Sequence, residues 1–309
     1  MRIQQVIRTA GFRLGFLSAM AGMLTQPALA QTQPAPPAPA ADPMDKVLDG
    51  IVAFEVKLGT DDWRQPKLRY SQREHAELAL PGLGVTQRAF IVYPQKAEKA
   101  PVILMMPEDQ GLNSWARSMA DEIAAMGYIV VVPDLLAGRG PNGGGRESFP
   151  DLRSVFRIHS QLPRTDEPGM TAQLNFWADY AKALPRFNGK LAGVGFAWGA
   201  GRIMHFAVQR KDLAAVAIFY DAAPMPEKLA GLSAPLYGFY AEHDDRVTRS
   251  LERTRTAMKQ LGKPYQEVIY PGSDHMFVRL GEEPRDDNPA NIEARHASLA
   301  RLQEILRGL

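Results

Sequence analysis

Gly193-Val194-Gly195-Phe196-Ala197-Trp198-Gly199-Ala200-Gly201 is the stretch that decides how this chain folds. Before it, Leu191 to Phe196 reads as a buried strand, and after it Gly199 to Gln209 reads as a helix. Almost no chain separates the two, so a tight turn at the junction residue Ala197 is expected. Gly195 and Gly199, two positions either side, and Ala200 are small enough to let strand and helix approach. The N–H of Trp198 then falls at the helix N-terminus, where unbonded amides and the helix dipole favour negative charge. A dinucleotide-binding turn is the competing reading. From Gly193 the glycines do not fall in a Gly-x-Gly-x-x-Gly spacing, and the junction lies late in the chain.

On either side of this junction strand and helix signals alternate. Val102 to Met106 is a continuous apolar run, the pattern of a strand covered on both faces in a parallel sheet. Asn113 to Met126 has Trp115, Met119, Ile123 and Met126 at helical spacing and stops at Gly127. Tyr128 to Val132 predicts a strand, and Thr171 to Leu184 a helix with Leu174, Trp177, Tyr180 and Ala181 on one side. Ala214 to Tyr220, Leu236 to Tyr240 and Gln266 to Tyr270 predict strands, and Thr248 to Leu261 and Ile292 to Leu306 helices. Near the start, Arg69 to Leu80 and Thr86 to Tyr93 flank a Pro-Gly-x-Gly turn at Pro81 to Gly84, which predicts an antiparallel hairpin. The expected architecture is α/β: a mostly parallel central sheet, helices on both faces, and that hairpin at the N-terminal side. The glycine-rich loop Gly138 to Gly145 is expected to form a mobile rim, and Gly281 to Asn288 a polar turn.

Four further pieces keep the order of the junction. They are Met106-Pro107-Glu108-Asp109-Gln110-Gly111-Leu112-Asn113, Val132-Pro133-Asp134-Leu135, Tyr240-Ala241-Glu242-His243-Asp244-Asp245-Arg246-Val247, and Tyr270-Pro271-Gly272-Ser273-Asp274-His275-Met276-Phe277. With these five pieces the sequence resembles the dienelactone hydrolase family over most of residues 50–309. The resemblance implies the α/β-hydrolase fold, with the strand-to-helix junction as the nucleophile elbow and the order nucleophile, acid, histidine. It implies Asp244 as the triad acid, His275 as the triad histidine, and Glu108 as the glutamate that meets the nucleophile. The N–H of Trp198, with that of Asp109 in the Glu108–Gln110 loop, would bind the oxyanion. Arg279, in a His-x-x-x-Arg spacing, would bind a substrate carboxylate through its forked donors. The family's reaction is hydrolysis of a dienelactone to maleylacetate.

The departure is Ala197, where the family places cysteine. A methyl group has no lone pair and forms no acyl-enzyme. Two readings stand: a chain that has lost covalent catalysis, or a cysteine-to-alanine replacement in a cysteine hydrolase. The expected function is therefore ester or lactone hydrolysis with the covalent route absent or residual, or binding of a small carboxylate or lactone without turnover. Plainer roles compete at each site. Asp245 rivals Asp244, Glu108 could be a solvated loop acid, and Arg279 a surface arginine beside Glu282 and Glu283. His75, His159, His205, His243 and His296 show no metal-ligand spacing, so neither a metal nor a cofactor is expected.

Composition narrows the setting. The 309 residues include no cysteine, which excludes a disulfide scaffold and a thiolate site. Residues 1–30 read as a Sec-type signal. Arg2, Arg8 and Arg13 precede the apolar run Leu14 to Leu24, and Ala28-Leu29-Ala30 offers a cleavage site. That run is about half the ~20 residues that span a bilayer. Residues 31–44, rich in Pro and Ala, read as an extended linker, and the domain is expected over 45–309. Without the leader 33 basic residues face 34 acidic ones, which suggests neither nucleic acid nor an anionic membrane as partner. A periplasmic or secreted protein acting on a small molecule is expected, with no membrane span. The sequence sets no oligomeric state.

Overall fold

β1 (Glu74–Gly82) and β2 (Val85–Tyr93) form the antiparallel hairpin at one edge of an eight-stranded sheet. The computed structural model describes residues 43–58, 64–96 and 98–309, so the proposed leader and nearly all of the proposed linker lie outside the described residues. β3 (Ala100–Met106), β4 (Ile129–Pro133), β5 (Phe187–Phe196), β6 (Leu213–Phe219), β7 (Leu236–Ala241) and β8 (Tyr265–Tyr270) complete the sheet in the order β1-β2-β4-β3-β5-β6-β7-β8. β2 pairs antiparallel with β4, and every pairing from β4 to β8 is parallel. The fold is the mostly parallel α/β sheet that the pattern predicts.

The helices are α1 (Pro43–Leu58), α2 (Arg64–Arg69), α3 (Ser114–Ala125), α4 (Leu152–Thr165), α5 (Glu167–Lys182), α6 (Trp198–Ala207), α7 (Pro226–Leu229), α8 (Asp245–Thr248), α9 (Leu251–Gln260), α10 (Phe277–Leu280) and α11 (Pro289–Arg307). Alternate β3 residues explain the unbroken apolar run. Val102, Leu104 and Met106 join one core with Trp177 of α5 and Ile203 of α6, while Ile103 and Met105 join another with Met119 of α3 and Leu302 of α11. Both faces of β3 are thus dry, as a central parallel strand requires.

Several expectations need correction. The first hairpin strand begins at Glu74 rather than Arg69, because residues 64–69 form α2. Its turn tightens to Leu83-Gly84, at φ 52 and 79, the two-residue hairpin geometry. α1 takes in Pro43 and Met44, which had been assigned to the linker. α5 starts at Glu167, four residues before Thr171, because Asp166 caps Gly169 and a proline occupies the first turn. The predicted helix Thr248 to Leu261 divides into α8 and α9. α4 was not anticipated at all. Its buried side, Val155, Phe156, His159 and Leu162, falls at helical spacing, and Pro163 in its last turn is the residue that argues against a helix.

The loop Gly138 to Gly145 is hydrogen-bonded within itself and to its surroundings. The N–H groups of Gly138 and Gly140 both donate to the Gly144 carbonyl at 3.0 Å. The Arg146 N–H then donates to Asp134 Oδ2 at 2.7 Å, and Leu136 N–H to Oδ1 at 3.0 Å. Burial pushes the Asp134 carboxyl up to about 6 despite these two bonds.

Candidate active site

Ala197 links β5 to α6 at φ 44, ψ −122, a conformation that L-residues rarely adopt. The small neighbours are required by close approach. A Cβ on Gly195 would stand 2.6 Å from Ala200 Cα, and one on Gly199 would overlap the Pro107 carbonyl at the end of β3. The turn is closed by Ala200 N–H to the Ala197 carbonyl at 2.8 Å and tied to β6 by Ala197 N–H to Phe219 O at 3.0 Å. Trp198 is the first residue of α6, so its N–H is one of the helix's unbonded amides.

Two loops at the ends of β7 and β8 bring an acid and an imidazole together. His275 Nδ1 lies 2.6 Å from Asp244 Oδ2. Asp244 also caps α8, accepting from Val247 N–H at 3.2 Å. Burial pushes its carboxyl up, but the His275 hydrogen bond, the Arg246 charge and the Val247 N–H outweigh that and hold it below the ordinary carboxylate range. Asp245 points elsewhere: its side chain is 81 % exposed and pairs with Arg249. The loops are braced against each other, with His243 N–H donating to the Ser273 carbonyl at 2.9 Å. Asn288 and Asn291 both donate to Asp274.

Glu108 follows β3 and is buried, not solvated. Tyr220 Oη donates to its Oε1 at 2.8 Å, and Arg279 Nη1 stands 3.6 Å from Oε2. Arg279, on α10, is itself 2 % exposed, so it is no surface arginine beside Glu282 and Glu283. Both glutamates pair with Arg64 of α2. Asp109 offers its carbonyl oxygen to His159 Nδ1.

Three residues belong to this region that sequence reasoning passed over. Tyr220 follows β6 at φ 42, a second strained turn beside that of Ala197. Its ring stands edge-on to His275 with centroids 5.4 Å apart, and 6.3 Å from the Phe196 ring. Burial first, then the Glu108 carboxylate, raises the phenol well above its ordinary range. Asp221 follows, with Oδ1 3.3 Å from Arg246 Nη1, and burial raises its carboxyl. His159 of α4 stacks on Trp198 with centroids 4.3 Å apart. No sequence pattern marks these three, because their roles depend on a backbone turn or on an unpredicted helix. Among the described residues no group of three or more His, Asp or Glu is placed to hold a metal ion, and no helix is long and apolar enough to cross a membrane.

The ends of β3, β5, β6, β7 and β8 thus assemble an elbow, an acid–imidazole pair and a buried glutamate at one edge of the sheet. Comparison with known proteins identifies the family. The dienelactone hydrolase family profile matches residues 87–308. A carboxymethylenebutenolidase homologue of Xenopus tropicalis is 25% identical over 230 residues, 71% of this chain and 87% of that protein. One of Rattus norvegicus is 26% identical over 208 residues, 64% of this chain and 77% of that protein. The structure of a dienelactone hydrolase-like promiscuous phosphotriesterase from metagenomic libraries superposes with a TM-score of 0.62 at 16% identity, covering 76% of this chain and 98% of that one. This chain belongs to the dienelactone hydrolase family of the α/β-hydrolase superfamily.

Proposed function

We propose that this protein hydrolyses small carboxylic esters or lactones by direct attack of water, without an acyl-enzyme. The observation that carries the reading is the 2.6 Å contact between His275 Nδ1 and Asp244, on the loops that follow β7 and β8 of the sheet whose β5 ends in the strained turn at Ala197, a residue bearing only a methyl group. Asp244 fixes the tautomer with the proton on Nδ1, leaving Nε2 as the base. Nε2 takes a proton from water as the water oxygen adds to the substrate carbonyl carbon. The N–H groups of Trp198 and Asp109 hold the oxyanion that forms. Collapse breaks the bond to the leaving oxygen, which takes the proton back from Nε2. Sites of this type without their nucleophile retain about 10³–10⁴-fold over uncatalysed hydrolysis.

Glu108, neutralised by Arg279 and bonded by Tyr220, forms the charged floor of this site. Arg279 would serve a substrate carboxylate only through that pair, since its guanidinium is already against Glu108. The leader read from residues 1–30 supports action in the periplasm or outside the cell. A second reading is favoured by the methyl group itself: a pocket that binds a small carboxylate or lactone and does not turn it over.

The test is hydrolysis of p-nitrophenyl esters and a dienelactone by the native chain and by Ala197→Cys, with binding of the unreacted compounds measured on the native chain. Slow turnover by the native chain that Ala197→Cys accelerates supports the hydrolase. Saturable binding with no turnover in the native chain favours the second reading. An inactive Ala197→Cys variant that still folds removes the hydrolytic site altogether.

A further inference from the structure

α4 lies across the two pieces of backbone that carry the proposed oxyanion donors, and one of its side chains touches both. His159 Nδ1 is hydrogen-bonded to the Asp109 carbonyl oxygen. A carbonyl only accepts, so Nδ1 carries the proton. The imidazole lies on the Trp198 ring at 31°, and the His159 carbonyl accepts from Trp198 Nε1 at 3.0 Å. The residue is 2 % exposed, so these contacts are shielded from water.

Peptide planarity turns the contacts into a statement about the donors. The peptide bonds are trans, so each N–H points opposite to the preceding carbonyl. Gly111 N–H bonds the Glu108 carbonyl at 3.0 Å and closes the turn, which directs the Asp109 N–H out of it. The next peptide is held by His159 at the Asp109 carbonyl, and the one after by Arg146 Nε at the Gln110 carbonyl, 2.6 Å away. The fit is close on the other side as well: a Cβ on Gly111 would stand 3.2 Å from His159 Cε1.

We propose that His159 is a positioning residue that fixes the spacing of the two oxyanion donors, tying the Asp109 loop to the Trp198 turn through one imidazole. The inference rests on the hydrolytic reading above for its effect on rate, and on geometry alone for its effect on the backbone. A donor must meet the developing oxyanion at hydrogen-bond distance, so a small displacement of either loop weakens catalysis while leaving ground-state binding nearly intact.

Two measurements test it. In the Ala197→Cys background, His159→Phe keeps a stacked ring but loses the donor. We expect kcat for p-nitrophenyl acetate to fall about tenfold to a hundredfold, with KM within about twofold and the iodoacetamide alkylation rate of the introduced thiol unchanged. His159→Asn, whose amide nitrogen replaces Nδ1, is expected to recover most of the loss. An unchanged kcat in His159→Phe overturns the proposal, as does a His159→Asn variant equally slow with KM raised in both. The second measurement needs no turnover. In the chain with Ala197 intact, His159→Phe should speed hydrogen exchange at the amides of Gly111 and Ala200, whose bonds close the two turns, relative to the β3 and β5 strands. If the Ala197→Cys variant is inactive, the hydrolytic reading fails by itself. Unchanged exchange at those amides overturns the clamp.

Discussion

Acid should destabilise this protein partly through one buried imidazole. His159 is 2 % exposed, and burial, aided by the charges of Arg146, Arg202 and Arg139, lowers its pKa from 6.5 to about 4 against the opposing pull of the Asp109 carbonyl. The folded chain keeps the ring neutral where the unfolded chain takes up a proton. The stabilisation is therefore complete above 6.5 and is lost as pH falls from 6.5 towards 4. At ~1.4 kcal/mol per unit, the loss between pH 7 and pH 4 is about 3 kcal/mol. For a domain of this size that corresponds to roughly 6–12 °C in Tm. Urea unfolding of the native chain and of His159→Phe at pH 7, 5.5 and 4 measures it. Carboxylates and the other histidines contribute equally to both proteins, so the difference between them isolates residue 159. We expect that difference to move by about 3 kcal/mol in favour of the variant between pH 7 and pH 4. A difference constant to within about 0.5 kcal/mol would refute the argument, because it would mean that the ring is solvated or already charged in the folded state.

In the Ala197→Cys background, Asp244→Asn should lower kcat by about 10⁴-fold, since the tautomer of His275 is no longer fixed, while Asp245→Asn leaves it nearly unchanged; steady-state kinetics on both variants decides between the two neighbours. The Asp244 carboxyl is held low in the fold, so its share of stability is present above the ordinary carboxylate range and lost as pH falls below it, a dependence that Asp244→Asn removes from the unfolding curve. Ala197→Gly should raise Tm by about 2–4 °C, because glycine tolerates φ 44 and the relieved strain exceeds the added chain entropy; a lower Tm would show that the turn is unstrained. Glu108→Gln with Arg279→Met should leave a folded protein within about 2 kcal/mol of the parent, since a buried ion pair exchanged for neutral groups is commonly neutral or stabilising, yet it should abolish ester hydrolysis or ligand binding; thermal unfolding and calorimetry check the two halves.

Much of this fold is legible from local pattern. The β3 run Val102 to Met106 is apolar at every position because two separate cores cover its two faces. The elbow is legible because steric demand leaves a trace: Gly195 and Gly199 are glycine for lack of room. What escaped was set by tertiary contact. α4 keeps helical spacing at Val155, Phe156, His159 and Leu162, but Pro163 in its last turn speaks against a helix, and the burial of His159 is intelligible only once Trp198 and Asp109 are seen beside it. Tyr220 is an ordinary strand-ending tyrosine in sequence, and only its positive φ turns the phenol towards Glu108. Likewise the glycines from 138 to 145 suggested looseness, whereas the carbonyl of Gly144 and the carboxylate of Asp134 stitch the loop in place.

An elbow that carries only a methyl group and the groups gathered around it have different physical costs. Ala197 and Tyr220 both hold positive φ, at a cost of about 1–3 kcal/mol each. Glu108 and Arg279 are both nearly fully buried, and desolvating two charges offsets much of their attraction. These costs are concentrated where five strands end, while the rest of the sheet is packed with aliphatic and aromatic side chains. A structure that used this edge only for packing would be at least as stable with a glycine in the elbow and apolar residues in place of the ion pair. The acid–imidazole contact would then be superfluous, and His275, with its side chain 36 % exposed, gains little from packing. The strained turns, the buried charges and the oriented imidazole are mutually explained by the proposed function, in which this edge engages a carbonyl compound. Under that proposal an elbow without sulfur forgoes one step of the covalent route and keeps the parts that bind a carbonyl and polarise it.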